Sequence, residues 1–147
     1  MFTFAPTIIR GSTFFELPRP IVSLRLSDAW DFQRFKVPLR DGDTITGHSR
    51  NGSEIRLEGQ IGSHAGQIQP DEAAMFATME ALRGSLHVAS PADVFILSLY
   101  HDELGQHHYF QDCTTTRLEL DLSEKHLFNF SVQIHAANPS LQTGVLS

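Results

Sequence analysis

Apolar and polar residues alternate with a period of two over most of this chain. Successive strand side chains point to opposite faces, so the alternation predicts strands with one buried and one wet face. The cleanest case is residues 128–136, with Phe128, Phe130, Val132, Ile134 and Ala136 on one side and Asn129, Ser131, Gln133 and His135 on the other. Ile55, Leu57, Gly59 and Ile61 alternate in the same way with Glu54, Arg56, Glu58 and Gln60. Leu118, Leu120 and Leu122 alternate with Arg117, Glu119 and Asp121, and Val22, Leu24 and Leu26 with Ile21, Ser23 and Arg25. Residues 7–10, 44–49, 85–89, 94–100 and 107–112 complete the predicted strands, and 94–100 carries enough large side chains to be buried on both faces. Residues 30–35 combine a poor period with Trp30, Phe32 and Phe35. Asn51-Gly52 predicts a two-residue type I′ turn joining 44–49 to the strand that follows, because that turn needs positive φ at both central positions.

One stretch has a helical period. Met75, Phe76, Met79 and Leu82 share a face at helical spacing, which predicts a helix over 70–83. Pro70 suits the first helical position, Asp71 and Glu72 place negative charge at the positive end of the dipole, and Gly84 offers a left-handed residue to close it. The two methionines read as core packing in preference to an adaptable binding groove. The fold class is therefore mainly β with one α-helix: an antiparallel sandwich or barrel with one helix laid on it, in a single domain over 1–147 that ends in a loose tail at 141–147.

The chain has 147 residues, 41% of them hydrophobic, and eleven Phe, enough for a sizeable core without staples. Its single cysteine, Cys113, excludes an internal disulfide and a CxxC metal site. The N-terminus has no basic region followed by a long apolar run, and the apolar run at 94–100 is interrupted by Ser98 and too short to span a membrane. Synthesis and folding in a cytoplasm, without a membrane partner, are expected. The formal charge of −6 argues against a nucleic-acid-gripping protein. It is uneven, +1 over residues 1–60 and −7 over 61–147, which reads first as acidic loops that keep the protein soluble and is also compatible with head-to-tail contacts between copies. Phe2, Phe4, Phe14 and Phe15 make the N-terminal end aromatic, as core or as a docking end.

Candidate chemistry is sparse. His101, Asp102 and His107 flank one predicted hairpin and could approach a metal, but the spacing matches no closed zinc site, and adjacent His107 and His108 point to opposite faces. Cys113 reads as an inert, partly buried thiol. There is no GxSxG elbow and no phosphate-binding glycine loop. No enzyme and no cofactor is expected.

The series Arg50, Gly52, Ile55, Leu57, Gly59, Ile61, then a loop, one acidic-capped helix and Gly84-Ser85-Leu86-His87-Val88, resembles the distal tail proteins of long-tailed bacteriophages. The closing Phe128 to Ala136 strand, followed by Pro139, is similar to the last core strand of that family and of the related tail tube proteins. The resemblance covers residues 43–140. It implies a split β-barrel subunit of a hexameric ring, joining the tail tube to baseplate or fibre proteins in the virion, with DNA passing through without specific binding. Many distal tail proteins carry a second domain that this chain has no length for, which puts receptor binding in doubt and makes a plain tube or adaptor role more natural. On this reading Trp30, Phe32, Phe35, Arg40, Asp41 and Asp43 are interface candidates, since aromatic residues with a poor strand period suit a surface buried only on assembly. Asp102, Glu103, Asp112, Glu119, Asp121 and Glu124 are candidates to line a channel whose negative charge repels phosphates. Two alternatives stand: the major tail tube protein itself, and, from another class, a small-ligand- or carbohydrate-binding barrel with Trp30, Tyr100 and Tyr109 as stacking surfaces.

Overall fold

The strands of regular alternation form as the pattern dictates. In the computed structural model, which describes residues 2–18, 21–36, 38–39, 41, 44–62, 72–90, 92–124 and 127–145, the cleanest of them is β9 (Leu127–Ala136), whose residues alternate strictly between buried and half-buried. It lies between β8 (His107–Glu124) and β6 (Ser53–Gly62). The remaining strands are β1 (Thr3–Arg10), β2 (Thr13–Glu16), β3 (Ile21–Ser27), β4 (Trp30–Phe35), β5 (Thr44–Arg50), β7 (Phe95–His101) and β10 (Gln142–Gly144). The main sheet runs β2-β1-β7-β8-β9-β6-β3, with every neighbouring pair antiparallel and β10 added beside β8. The sheet is open, ending at β2 and β3 among the described residues.

Strand β8 belongs to both halves of this sheet. Its first part, His107 to Cys113, pairs with β7, and its second part, from Cys113 on, pairs with β9. The change of partner coincides with Asp112, whose φ of 54° is left-handed and unusual for a non-glycine residue, and whose carbonyl accepts the amide of Ala137 at 3.1 Å. A bulge follows between Thr115 and Arg117. Residues 107–112 and 115–122, predicted as separate strands, are thus one strand with a kink. The predicted tail over 141–147 likewise contains β10, which pairs Gln142 with Tyr109 and Gly144 with His107.

The core forms where the apolar faces of both halves meet the helix. Ile8, Leu97 and Phe110 come from one half, Ile55, Leu57, Val132 and Ile134 from the other, and Met75, Met79, Leu82 and Leu86 from α1 (Glu72–Leu86). The helix corrects two expectations. It runs through Gly84 to Leu86, taking in part of the predicted 85–89 strand, because Leu86 extends the buried 75-79-82 face by one turn. Phe76 is 51% exposed and lies off that face. Pro70 and Asp71 lie outside the described residues.

The helix is closed by Arg10, not by a left-handed glycine. The Arg10 guanidinium donates to the carbonyls of Ser85 (2.9 Å) and His87 (2.6 Å), pairs with Asp93 at 2.6 Å, and sits 5.0 Å from the centroid of the Phe95 ring. A cation there satisfies carbonyls that the helix leaves open and complements the negative end of its dipole. The Ala89 amide and then Arg10 hold the Asp93 carboxyl below its ordinary pKa. A carboxylate depressed in the folded state stabilises above its unfolded pKa and loses that contribution as pH falls through the lower folded value. Wild-type protein is therefore expected to melt above Asp93→Asn at pH 7, and the gap to close as the pH is taken below about 3.8, the ordinary value. Thermal melts from pH 7 to pH 2.5 check this, and a gap that persists unchanged at the acid end contradicts it.

The predicted Asn51-Gly52 hairpin does not exist. Strand β5 pairs with β4, and β6 pairs with β3 and β9. Neither Asn51 nor Gly52 adopts positive φ. Chain β3–β4 instead runs antiparallel to chain β5–β6, with β4 and β5 continuing past the main sheet as a two-stranded arm. Its joint is bridged by the Asn51 amide donating to the Ala29 carbonyl at 2.8 Å and by the Ser53 hydroxyl donating to Asp28. Glycine is needed at 52 for another reason. A Cβ there would lie 2.5 Å from the Ala136 carbonyl oxygen and 2.6 Å from Nε2 of His135.

Candidate functional site: a polar four-stranded face

The half-sheet β8-β9-β6-β3 turns its apolar side to the core and leaves a broad polar side facing out. Residues that are direct partners across antiparallel strands point to the same face, so the register spells out that side row by row. Ser27, Glu54, His135 and Thr114 form one row. Arg25, Arg56, Gln133 and Arg117 form the next, Ser23, Glu58, Ser131 and Glu119 the third, and Gln60, Asn129 and Asp121 the fourth. Every member of these rows is polar or charged.

The rows are knitted by side-chain contacts. His135 Nδ1 and Glu54 Oε1 are 2.6 Å apart, Gln133 Nε2 donates to Glu54 Oε2 at 3.2 Å, and Arg117 pairs with Glu119 at 2.5 Å. The hydroxyl and amide of Ser123 hold the Asp121 carboxyl below its ordinary pKa, so it is ionised at neutral pH. Shallow depressions run along the face, one lined by Glu58, Glu119 and Asp121 and another by Arg25, Glu54 and Arg56.

Both lateral edges of this half-sheet are open among the described residues. Strand β3 pairs only with β6, and β8 beyond Cys113 pairs only with β9. Exposed apolar side chains mark the β3 edge and the arm joint: Val22 is 62%, Leu26 52% and Trp30 50% exposed.

The predicted site residues separate on this map. Trp30 opens the arm and is exposed; Phe32 and Phe35 follow on β4, their side chains outside the described residues, as are Arg40 and Asp43, while Asp41 is exposed. Glu119 and Asp121 lie on the polar face, and Glu124 ends β8 with its side chain outside the described residues. Asp102 and Glu103 lie elsewhere, in the β7–β8 turn, where Asp102 Oδ1 accepts the amides of Leu104 (2.9 Å) and Gln106 (3.0 Å). Asp112 sits at the kink of β8. The three arginines, Glu54 and Glu58 were not singled out from the sequence. Each sits on the wet parity of its strand, which was legible, but the register that aligns them was not.

The histidine group is built for packing. His107 Nδ1 is engaged by the Ser98 hydroxyl at 3.0 Å, and burial, then the neighbouring His101, push its imidazole below the ordinary pKa. The rings of His101 and His107 are 6.1 Å apart, and His108 stacks near Phe2 at 4.6 Å. No group of three His, Cys, Asp or Glu among the described residues is placed to hold a metal ion. Burial pushes the Cys113 thiol up to about 12, far from a nucleophilic thiolate. Tyr100 pairs with His108 and packs on Phe4 at 5.2 Å, so Tyr109 points to the opposite face and Trp30 lies on the arm; the three rings do not form one stacking surface.

No protein-family model matches the sequence, and no curated protein matches it by sequence. Solved structures do match its fold. The Dit protein of phage SPP1, described as a paradigm of the hub adsorption apparatus in phages infecting Gram-positive hosts, superposes with a TM-score of 0.63 at 14% identity over 93% of this chain. The chain spans about half, 51%, of that protein. A chain from the tail of an empty GTA particle, determined with C6 symmetry, superposes with a TM-score of 0.55 at 9% identity, covering 98% of this chain and 96% of that one. The fold of this chain is thus that of phage tail hub and GTA tail proteins.

Proposed function

We propose that this chain is a structural subunit of a phage tail, residing in the virion and assembling as a ring of six that joins the tail tube to baseplate or fibre proteins. The observation that carries this reading is the half-sheet with a predominantly polar outer face and two edges open among the described residues. A sheet open on both sides is completed by neighbours: the β3 edge of one copy meets the far β8 edge of the next, a head-to-tail contact that closes on itself as a ring. Closure turns the polar rows toward a central channel through which DNA passes without base-specific contacts. Trp30 and the arm it opens reach the adjoining subunit. The fold shared with the SPP1 hub protein and the GTA tail chain supports the assignment. No catalytic constellation is part of it.

Light scattering on purified protein tests the reading, with electron microscopy of the same sample. The expected mass is six times that of the chain, in annular particles with six-fold symmetry. Stacking of those rings into long tubes would assign the chain to the tube itself. Trp30→Asp is expected to melt like wild type, because the side chain is half-exposed, and to lose the ring. A chain that stays monomeric at tens of micromolar overturns the proposal.

A further inference from the structure

The second row of the polar face holds three arginines in line. Arg25 and Arg56 are direct cross-strand partners, Arg56 partners Gln133, and Gln133 partners Arg117. Like charges directly opposite each other destabilise a sheet. Gln133 relieves the centre of the row, accepting from Arg56 Nη2 at 3.5 Å, and Glu119 takes one side of Arg117. All three arginines remain exposed on this face. Three guanidiniums spaced by strand separations span about 14 Å, and each presents a planar fork suited to phosphate.

We infer that the Arg25–Arg56–Arg117 row is a contact site for the phosphodiester backbone of duplex DNA. The inference rests on the ring reading above, which puts this face toward the channel. The row runs across the strands, so repetition around a ring makes it a belt that encircles the passing duplex. A belt meets the backbone at every rotational setting and does not hold it at one. The acidic rows of Glu54 on one side and Glu58 and Glu119 on the other lie about 7 Å away along the strands, inside the Debye length of about 8 Å at physiological salt. They weaken each contact, so the belt touches DNA briefly without gripping it. The net charge of the chain, at −6, hides this feature because it averages the three arginines of this row with acidic residues elsewhere.

The test uses full-length protein, its ring state measured in the same samples, and a fluorescein-labelled 20-base-pair duplex followed by anisotropy at 50 and 200 mM salt. The triple variant Arg25→Gln, Arg56→Gln, Arg117→Gln is expected to bind about ten-fold or more weakly at the lower salt. Its slope of log affinity against log salt is expected to be shallower by about 2–3. Glu58→Gln with Glu119→Gln is expected to tighten binding several-fold. Rings that bind the duplex with unchanged affinity and slope after loss of the three arginines overturn the inference. So does a triple variant whose only defect is ring-on-ring stacking, which would make the row a contact between copies. Inorganic phosphate is the second probe: equal competition by free phosphate at matched charge would mark a small-anion site and refute the DNA assignment. If the triple variant fails to assemble, Arg25→Gln and Arg117→Gln singly carry the same test, with losses of about two- to three-fold each. A wild-type chain that forms no ring defeats the proposed function, and the same titration on the monomer still decides whether the row binds duplex.

Discussion

Gly52→Ala is expected to destabilise the protein by about 2–3 kcal/mol, the range of an overpacked site that cannot relax freely. The added methyl would meet the carbonyl oxygen of Ala136 at 2.5 Å. A flexible side chain could move aside, but this obstacle is main chain at the end of β9, where Ala136 is itself paired with Ser53 and Cys113. Relief therefore requires shifting either the joint of the arm or the end of a central strand. The substitution also separates two explanations of why glycine stands there. If Gly52 served a type I′ turn, Asn at that position would be tolerated, since Asn adopts the left-handed region readily. Because the need is space at ordinary φ, Asn is expected to be at least as damaging as Ala. Chemical denaturation of the two variants reads this directly, and an Asn variant close to wild type would restore the turn explanation.

Leu82→Ala is expected to cost about 3 kcal/mol, within the usual range for emptying a fully buried leucine site. Leu82 has no exposed surface and stands at the centre of the helix face that seats α1 on the sheet. For a chain of this size the loss corresponds to a fall in Tm of about 6–12 °C. Phe76→Ala on the same helix is expected to change stability by less than about 0.5 kcal/mol, because the ring is half in solvent. Spacing alone placed Met75, Phe76, Met79 and Leu82 together, and the pair of melts distinguishes that face from the observed Met75, Met79, Leu82, Leu86 face. Equal losses for the two variants would mean that Phe76 packs as the leucine does.

What was legible in the sequence is what local periodicity encodes. Strands β6 and β9 were readable because one face of each is core and the other wet, and every residue from Ile55 to Ile61 and from Phe128 to Ala136 votes for the same assignment. Strand β8 was divided because its parity slips twice. Phe110 and Cys113 are both buried three residues apart, across the left-handed Asp112, and the Thr115–Arg117 bulge shifts the count again before Leu118. A reading that assumes one period sees two strands where one bent strand exists. The helix end was misplaced because its cap, Arg10, comes from β1 and leaves no mark in the local sequence. Gly52 was noticed for the right residue and the wrong cause, since a close approach to Ala136 is a tertiary fact. The acidic channel candidates show the same divide: Glu119 and Asp121 alternate on a regular strand and fall on the polar face, whereas Asp102 is occupied by amides of its own turn. The arginine row depends entirely on how β3, β6, β9 and β8 align, which local periodicity does not contain.

The order of strands in the sheet also sets the timetable of folding. Strand β1 rests on β7, and β6 lies between β3 and β9, so three of the six pairings along the sheet join strands that are not consecutive in the chain. Those long-range pairings must close large loops before they stabilise anything, and a sheet that depends on them folds over milliseconds to seconds where a helical bundle needs microseconds. On the ribosome β6 waits for Leu127 to Ala136 to be made before its second edge is covered. During that interval the apolar faces of β3 and β6 are bare, and crowded synthesis of many copies puts matching edges within reach of one another. Lower expression temperature, which slows synthesis and weakens premature hydrophobic contact, should therefore raise the yield of correctly folded subunits.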